Sequence, residues 1–296
     1  MDMTFKNTRL SDKALSVKLT IKRAAMVKRD DALTAGLQAT QNDSGLTVLT
    51  KLFRDKTSPV YTIMQAVGEV YTYHVNNTLP YVDAGPRLLP SGVYFDYSNQ
   101  MRERIDRVEG LLRLHMPDYD NLVAADVAYR NQGRAAGHAD AIDYPTADEF
   151  RGKMAFDLKF MPLPDESHPL FDLSDADKAS FQDHVTSVAA QARNDVIRRM
   201  LDPLAHLVDK LNTPIGAEKS VFRDSAIENV LEGCRMAKKL MLEEDVELTA
   251  RIDELSQVVT GYAFGLSQLR DSPDTRSAAA IKLDAMKKAM EGYFGS

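Results

Sequence analysis

The chain has 296 residues, of which 44% are hydrophobic and 27% charged, with a net charge of −6. That is enough apolar material for one large or two modest cores, and it excludes a disordered tail. A single cysteine, Cys234, excludes an intramolecular disulfide and fits a reducing cytoplasm. No apolar run approaches the roughly 20 residues of a membrane span, and the opening MDMTFKNTRL lacks the apolar core of a signal peptide, so the expectation is a soluble cytoplasmic protein.

Charge is unevenly placed. Residues 1–30 carry eight Lys or Arg against three Asp, a local +5, and residues 276–296 carry +2, leaving −13 on the body between. A basic start can steer an anionic partner, with Lys18, Lys22, Arg23, Lys28 and Arg29 as its contact residues. It can equally dock on the protein's own acidic surface, which is the plainer reading.

In chain order, Leu15, Val17, Leu19 and Ile21 alternate with Ser16, Lys18, Thr20 and Lys22, the period of a half-buried strand. Residues 31–53 read as helix broken by the Asn42-Asp43-Ser44-Gly45 turn. Ser58 and Pro59 start a further helix whose buried stripe is expected at Val60, Ile63, Met64, Val67, Tyr71 and Val75, ending at Leu79-Pro80. Three prolines and two glycines between Pro80 and Gly92 predict a loop that joins two parts of the protein. Tyr71, Tyr73, Tyr81, Tyr94 and Tyr97 flank this joint. With Arg87 they could stack bases, although wedging the joint shut is the preferred role.

Beyond the joint, Met101, Ile105, Val108, Leu112 and His115 mark one helix face, and Pro117 restarts the pattern through Tyr119, Leu122, Val123 and Val127. Thr146 and Glu149 form a capping box, and Phe156, Leu158 and Phe160 a second strand, expected to pair with the first. The longest uninterrupted stripe runs from Ser174 to Leu211, through Phe181, Val185, Val188, Ala192, Val196, Met200, Leu204 and Leu207. Pro203 lies inside it and predicts a kink near Arg199. Two more helices follow, around Val230 and Cys234 and around Ile252 and Leu255, and a last basic helix starts after Pro273.

The expected architecture is mainly α, an elongated bundle of long antiparallel helices with at most one small two-stranded sheet. The expected regions are a basic segment (1–30), a first helical region (31–172) with its joint at 80–92 and second strand near 155–161, a long-helix region (173–271) and a C-terminal helix (272–296). That last helix carries Ile281, Met286, Met290, Tyr293 and Phe294 beyond a breaker, which predicts self-association through it.

Motifs for chemistry are missing from the sequence. It holds no phosphate loop, Rossmann glycine triplet, nucleophile elbow or His-Glu-x-x-His, so neither a catalytic residue nor a cofactor is assigned. His138, Asp140 and Asp143 could ligate a metal but have no second cluster at matching spacing, and Asp172, Asp175 and Asp177 lack the glycine and closing Glu of a calcium loop. An Asp-rich helix start explains the second set. Cys234 falls on an apolar stripe and reads as a buried thiol, and His74, His115, His184 and His206 read as helix residues.

Several short motifs carry a resemblance: Leu79-Pro80; Arg87-Leu88-Leu89-Pro90 with Tyr94; Asp143-Tyr144-Pro145-Thr146-Ala147-Asp148-Glu149-Phe150; and Val221-Phe222-Arg223-Asp224-Ser225 with Asn229. Together they resemble an uncharacterised phage and bacterial family catalogued as domain of unknown function 3150. The resemblance implies a mostly helical protein, often encoded beside a MoxR-type AAA ATPase and a von Willebrand A-domain protein, and no catalytic residue. The resulting expectation is a non-enzymatic adaptor or scaffold with a protein partner of that kind, the alternative being a phage nucleic-acid-binding protein that uses its basic N-terminal segment.

Overall fold

The computed structural model describes residues 9–83, 85–132, 144–164, 174–215, 222–263 and 265–294. In chain order it begins with α1 (Leu10–Lys13), β1 (Ala14–Lys22), β2 (Val27–Arg29), α2 (Asp31–Gln41), β3 (Leu49–Lys51) and α3 (Pro59–Asn76). Next come β4 (Arg87–Pro90), α4 (Tyr94–His115), α5 (Tyr119–Asn131), α6 (Ala147–Gly152) and β5 (Ala155–Met161). The last part is α7 (Asp175–Asn212), α8 (Ser225–Leu240), α9 (Val246–Ala263), α10 (Leu266–Asp271) and α11 (Pro273–Phe294). The protein is mainly α, as its periodicity predicts. Among the described residues no helix is long and apolar enough to cross a membrane.

The sheets are more extensive than expected. One has three strands in the order β4-β1-β5, so the two strands foreseen in the sequence are neighbours, and β2 and β3 form a second, two-stranded sheet. Residues 46–53, expected as helix, instead supply β3. The predicted joint at 80–92 is also partly strand: β4 runs antiparallel to β1, with Ala14 opposite Pro90 and Val17 opposite Arg87. Leu79 and Leu88 bridge it backwards through two N–H···O bonds of 2.8 Å. Proline and glycine marked the turn here, while Leu88 and Leu89, both fully buried, form the strand between them.

The chain forms two compact units. Unit 1 comprises Met1–Lys18, Asn77–Phe95 and Phe160–Ser296, and unit 2 comprises Leu19–Asn76 and Asp96–Lys159.

Unit 1 is organised on α7, a helix of 38 residues and hence about 57 Å long. Ser174 caps it by accepting from the amide of Asp177, which explains the Asp-rich start without a metal. Its stripe is buried from Val188 onwards, through Ala192, Val196, Met200, Leu204, Leu207 and Leu211. Helices α8 and α11 pack along α7, and α9 packs on α8 and α11. At the crossing with α8 the backbones meet. A Cβ on Gly233 would lie 2.5 Å from the carbonyl oxygen of Arg199 and 3.2 Å from the Cα of Met200. Cys234 is buried beside it, and burial pushes its thiol up to about 11, which holds it protonated and unreactive at neutral pH.

Unit 2 is built on α3, α4 and α5. The buried residues of α3 are Val60, Ile63, Ala66, Val67, Val70 and His74, whereas Tyr71, expected inside, is 58% exposed. His74 takes the inner place because its Nδ1 shares a 2.6 Å hydrogen bond with the hydroxyl of the fully buried Tyr97 on α4. Tyr97 also stacks on Tyr73, whose ring is covered by the Arg104 guanidinium at 3.9 Å.

Candidate nucleic-acid interface

The residues singled out in the sequence fall into separate groups. Unit 1 retains several of them for its own structure. Arg87 donates from Nε to the hydroxyl of Thr78 at 2.7 Å and from Nη2 to its carbonyl at 3.1 Å, so it fastens the chain rather than offering a free cation. Arg199 of α7 donates to the same carbonyl at 2.7 Å, and Lys239 of α8 to the side chain of Asn77 at 3.2 Å. Tyr94 is half-buried with its ring edge-on to Phe160 at 4.9 Å. On α11, Met290 is 2% exposed and Met286 packs against the core, which corrects their assignment as contact residues, while Ile281 is 69% exposed. The reason is that α11 lies on α7 and α9 and covers its own stripe. Nothing is described of the side chains of Tyr293 and Phe294. In unit 2, Tyr97 is a core residue, which removes it from the contact set.

Lys18 is exposed on the part of β1 that belongs to unit 1. The other basic residues belong to unit 2, where the fold adds partners that a count over the first thirty residues could not find. Strand β2 is antiparallel to β3, with Val27 opposite Lys51, Lys28 opposite Thr50 and Arg29 opposite Leu49. The amide of Leu52 donates to Met26 O and that of Asp30 to Val48 O, extending the ladder by one pair at each end. Antiparallel pairing places the residues before Met26 and those after Leu52 at the same end of the ribbon. Lys22 and Arg23, ahead of β2, and Lys51, Arg54 and Lys56, at the end of β3 and just after it, therefore belong to the same end of the ribbon, and all five are exposed.

Within these two stretches of sequence the carboxylate is Asp55, and it is engaged locally. It accepts from the amide and the hydroxyl of Thr57, both at 2.8 Å, which lowers its pKa. The opposite end of the ribbon is acidic: Asp30 caps α2 by accepting from the amide of Leu33 at 2.9 Å, and Asp31 pairs with Arg29 at 3.0 Å.

A buried carboxylate fixes the basic end. Asp126 on α5 is 3% exposed and accepts from the amides of Phe53 at 2.7 Å and Arg54 at 3.0 Å. It also accepts from the hydroxyl of Tyr144 at 2.6 Å, and that hydroxyl accepts from Arg130 Nη1 at 3.0 Å. Two amides aimed at one carboxylate explain why Phe53, with φ of +49°, holds a left-handed backbone that a β-carbon disfavours. The Phe53 ring lies in a cluster with Tyr119, Tyr144 and Phe150, at centroid distances of 5.9, 5.1 and 6.5 Å. Tyr144 leads into α6, whose Thr146 and Glu149 form the predicted capping box.

Burial, and then the hydrogen bond to Asp126, push the Tyr144 phenol up to about 12, with Arg130 opposing in part; burial raises Tyr119 as well. A raised phenol stabilises the fold fully below its unfolded value of about 10, and that contribution drains away as pH climbs towards 12. Urea unfolding should therefore show stability falling from pH 10 to pH 12. Tyr144→Phe should make that fall shallower without abolishing it, since Tyr119 remains. A fall of equal steepness in the variant would refute the role given to Tyr144.

His138, Asp140, Asp143 and Asp172 lie outside the described residues, as does the side chain of Asp175. Among the described residues no group of three or more His, Cys, Asp or Glu is placed to hold a metal ion. Compared with family models, curated proteins and solved structures, the chain matches none.

Proposed function

We propose that this protein is a non-enzymatic adaptor whose unit 2 holds nucleic acid on the basic end of the β2-β3 ribbon. One observation carries the reading: five exposed cations from two stretches of sequence, Lys22, Arg23, Lys51, Arg54 and Lys56, fall at one end of the ribbon. Such a cluster gathers polyanions through counterion release, at a cost in salt sensitivity. The Asp126 tether keeps the cluster in place before a ligand arrives, so less ordering entropy is lost on binding.

A mobility shift with DNA at low salt tests this. The intact protein should bind, and Lys51→Glu with Arg54→Glu should weaken binding about tenfold or more while leaving the circular dichroism unchanged, because both side chains are exposed. Equal binding by the double variant would refute the site. A protein partner such as a MoxR-type ATPase or a von Willebrand A-domain protein belongs to the same adaptor reading. It is supported by the short motifs alone, several of which serve the fold through Leu79, Leu88 and Tyr144. Self-association through α11 would use the face around Ile281.

A further inference from the structure

We infer that the ribbon is shaped for duplex nucleic acid, its two strands entering the major groove; this rests on the nucleic-acid reading above and specifies its ligand. Neither face of the ribbon is committed to the core. All three residues of β2 are exposed, as are Leu49 and Lys51 of β3, with Thr50 half-buried. Paired residues share a face, so Val27, Arg29, Leu49 and Lys51 stand on one side and Lys28 and Thr50 on the other. Two strands about 4.8 Å apart, with side chains on both faces, fit a groove about 12 Å wide.

The chemistry of the face separates duplex from single strand. Proteins that grip single strands stack bases on exposed aromatic rings. Residues 22–56 contain one aromatic, Phe53, and it is 3% exposed because its ring is packed against Tyr119, Tyr144 and Phe150. What the ribbon presents is aliphatic: Val27 is 43% and Leu49 65% exposed. Aliphatic side chains suit the thymine methyl groups of a major groove, and Lys51 on the same face can donate to guanine O6 and N7, whereas Arg29 is held by Asp31. The cations at the base, Lys22, Arg23, Arg54 and Lys56, are then left for the flanking phosphates. The acidic end, with Asp30 and Asp31, sets the polarity of entry, since phosphates repel it.

The experiment uses the full chain with three probes: a mixed-sequence DNA duplex, one of its separated strands, and heparin. The duplex should bind at least tenfold more tightly than the strand and than heparin at equal salt. Its affinity should fall with a log–log salt slope of about −3 to −4, as about four neutralised phosphates require. In the complex, guanine N7 should be protected from methylation by dimethyl sulfate, because N7 faces the major groove. Single-strand or heparin binding as tight as duplex binding overturns this inference and leaves the nucleic-acid or polyanion reading standing. Tight duplex binding without N7 protection overturns the groove assignment. Failure to bind any of the three at low salt overturns the inference and the proposed function together.

Discussion

Asp126→Ala is expected to lower the stability of unit 2 by about 3–5 kcal/mol, among the largest effects of any single substitution in this chain. The carboxylate accepts three hydrogen bonds, from two backbone amides and a phenol, at 2.6 to 3.0 Å. Alanine leaves the Phe53 amide and the Tyr144 phenol unpaired and buried and the Arg54 amide unpaired and partly buried, each costing about 1–3 kcal/mol. Asp126→Asn keeps the shape and one acceptor oxygen but turns an amide group towards donors, so its loss should be about half as large. Urea unfolding of both variants gives the order, and a loss below about 1 kcal/mol for alanine would show that water replaces the carboxylate. The substitution should also loosen the basic end of the ribbon, so hydrogen exchange at the amides of Phe53 and Arg54 should accelerate before global unfolding does.

Gly233→Ala should destabilise unit 1 by about 3 kcal/mol, because the new methyl would sit 2.5 Å from a backbone oxygen, which cannot rotate away as a side chain could. That oxygen belongs to Arg199, the residue four before Pro203, and it receives no hydrogen bond from position 203, since proline has no N–H. Glycine and proline therefore act at one crossing. Pro203→Ala alone restores the missing donor, and a double-mutant cycle with Gly233→Ala should show coupling of about 0.5 kcal/mol or more. Additive losses would mean that the proline and the close approach are independent.

Much of unit 1 could be read from the sequence, because long helices repeat their signal many times. The α7 stripe, its Ser174 cap and its stop at Asn212 and Thr213 follow from periodicity and capping chemistry, as does the capping box of α6. Short strands carry no such repetition. Val27-Lys28-Arg29 and Leu49-Thr50-Lys51 are three residues each, too few for a period of two to show, and their pairing joins positions twenty or more residues apart. The predicted basic region was accordingly half of the site: Lys51, Arg54 and Lys56 join it only through that pairing. Asp126 and Arg130 were invisible for another reason. Hydrophobic patterning assigns charges to the outside of α5, and these two are inside because they satisfy the amides of Phe53 and Arg54 and the phenol of Tyr144. The same logic misplaced Tyr71, since the hydrogen bond of His74 to Tyr97 outweighed the greater apolar surface of tyrosine.

The interleaving of the two units in the chain has a consequence for biosynthesis. Unit 2 closes at Lys159, so all of it has been synthesised once about half the protein has been made. The first strand of unit 1 is synthesised earliest yet completed last: Leu10 and Ala14 belong to a cluster whose other members include Leu204, Leu255 and Met290. The N-terminal segment must wait, its apolar positions uncovered, while well over a hundred further residues are added. A nascent chain halted far enough beyond Lys159 for that residue to clear the exit tunnel should thus already resist proteolysis within residues 19–159, whereas its first eighteen residues remain open to cleavage until α7 and the helices that follow it have left the tunnel.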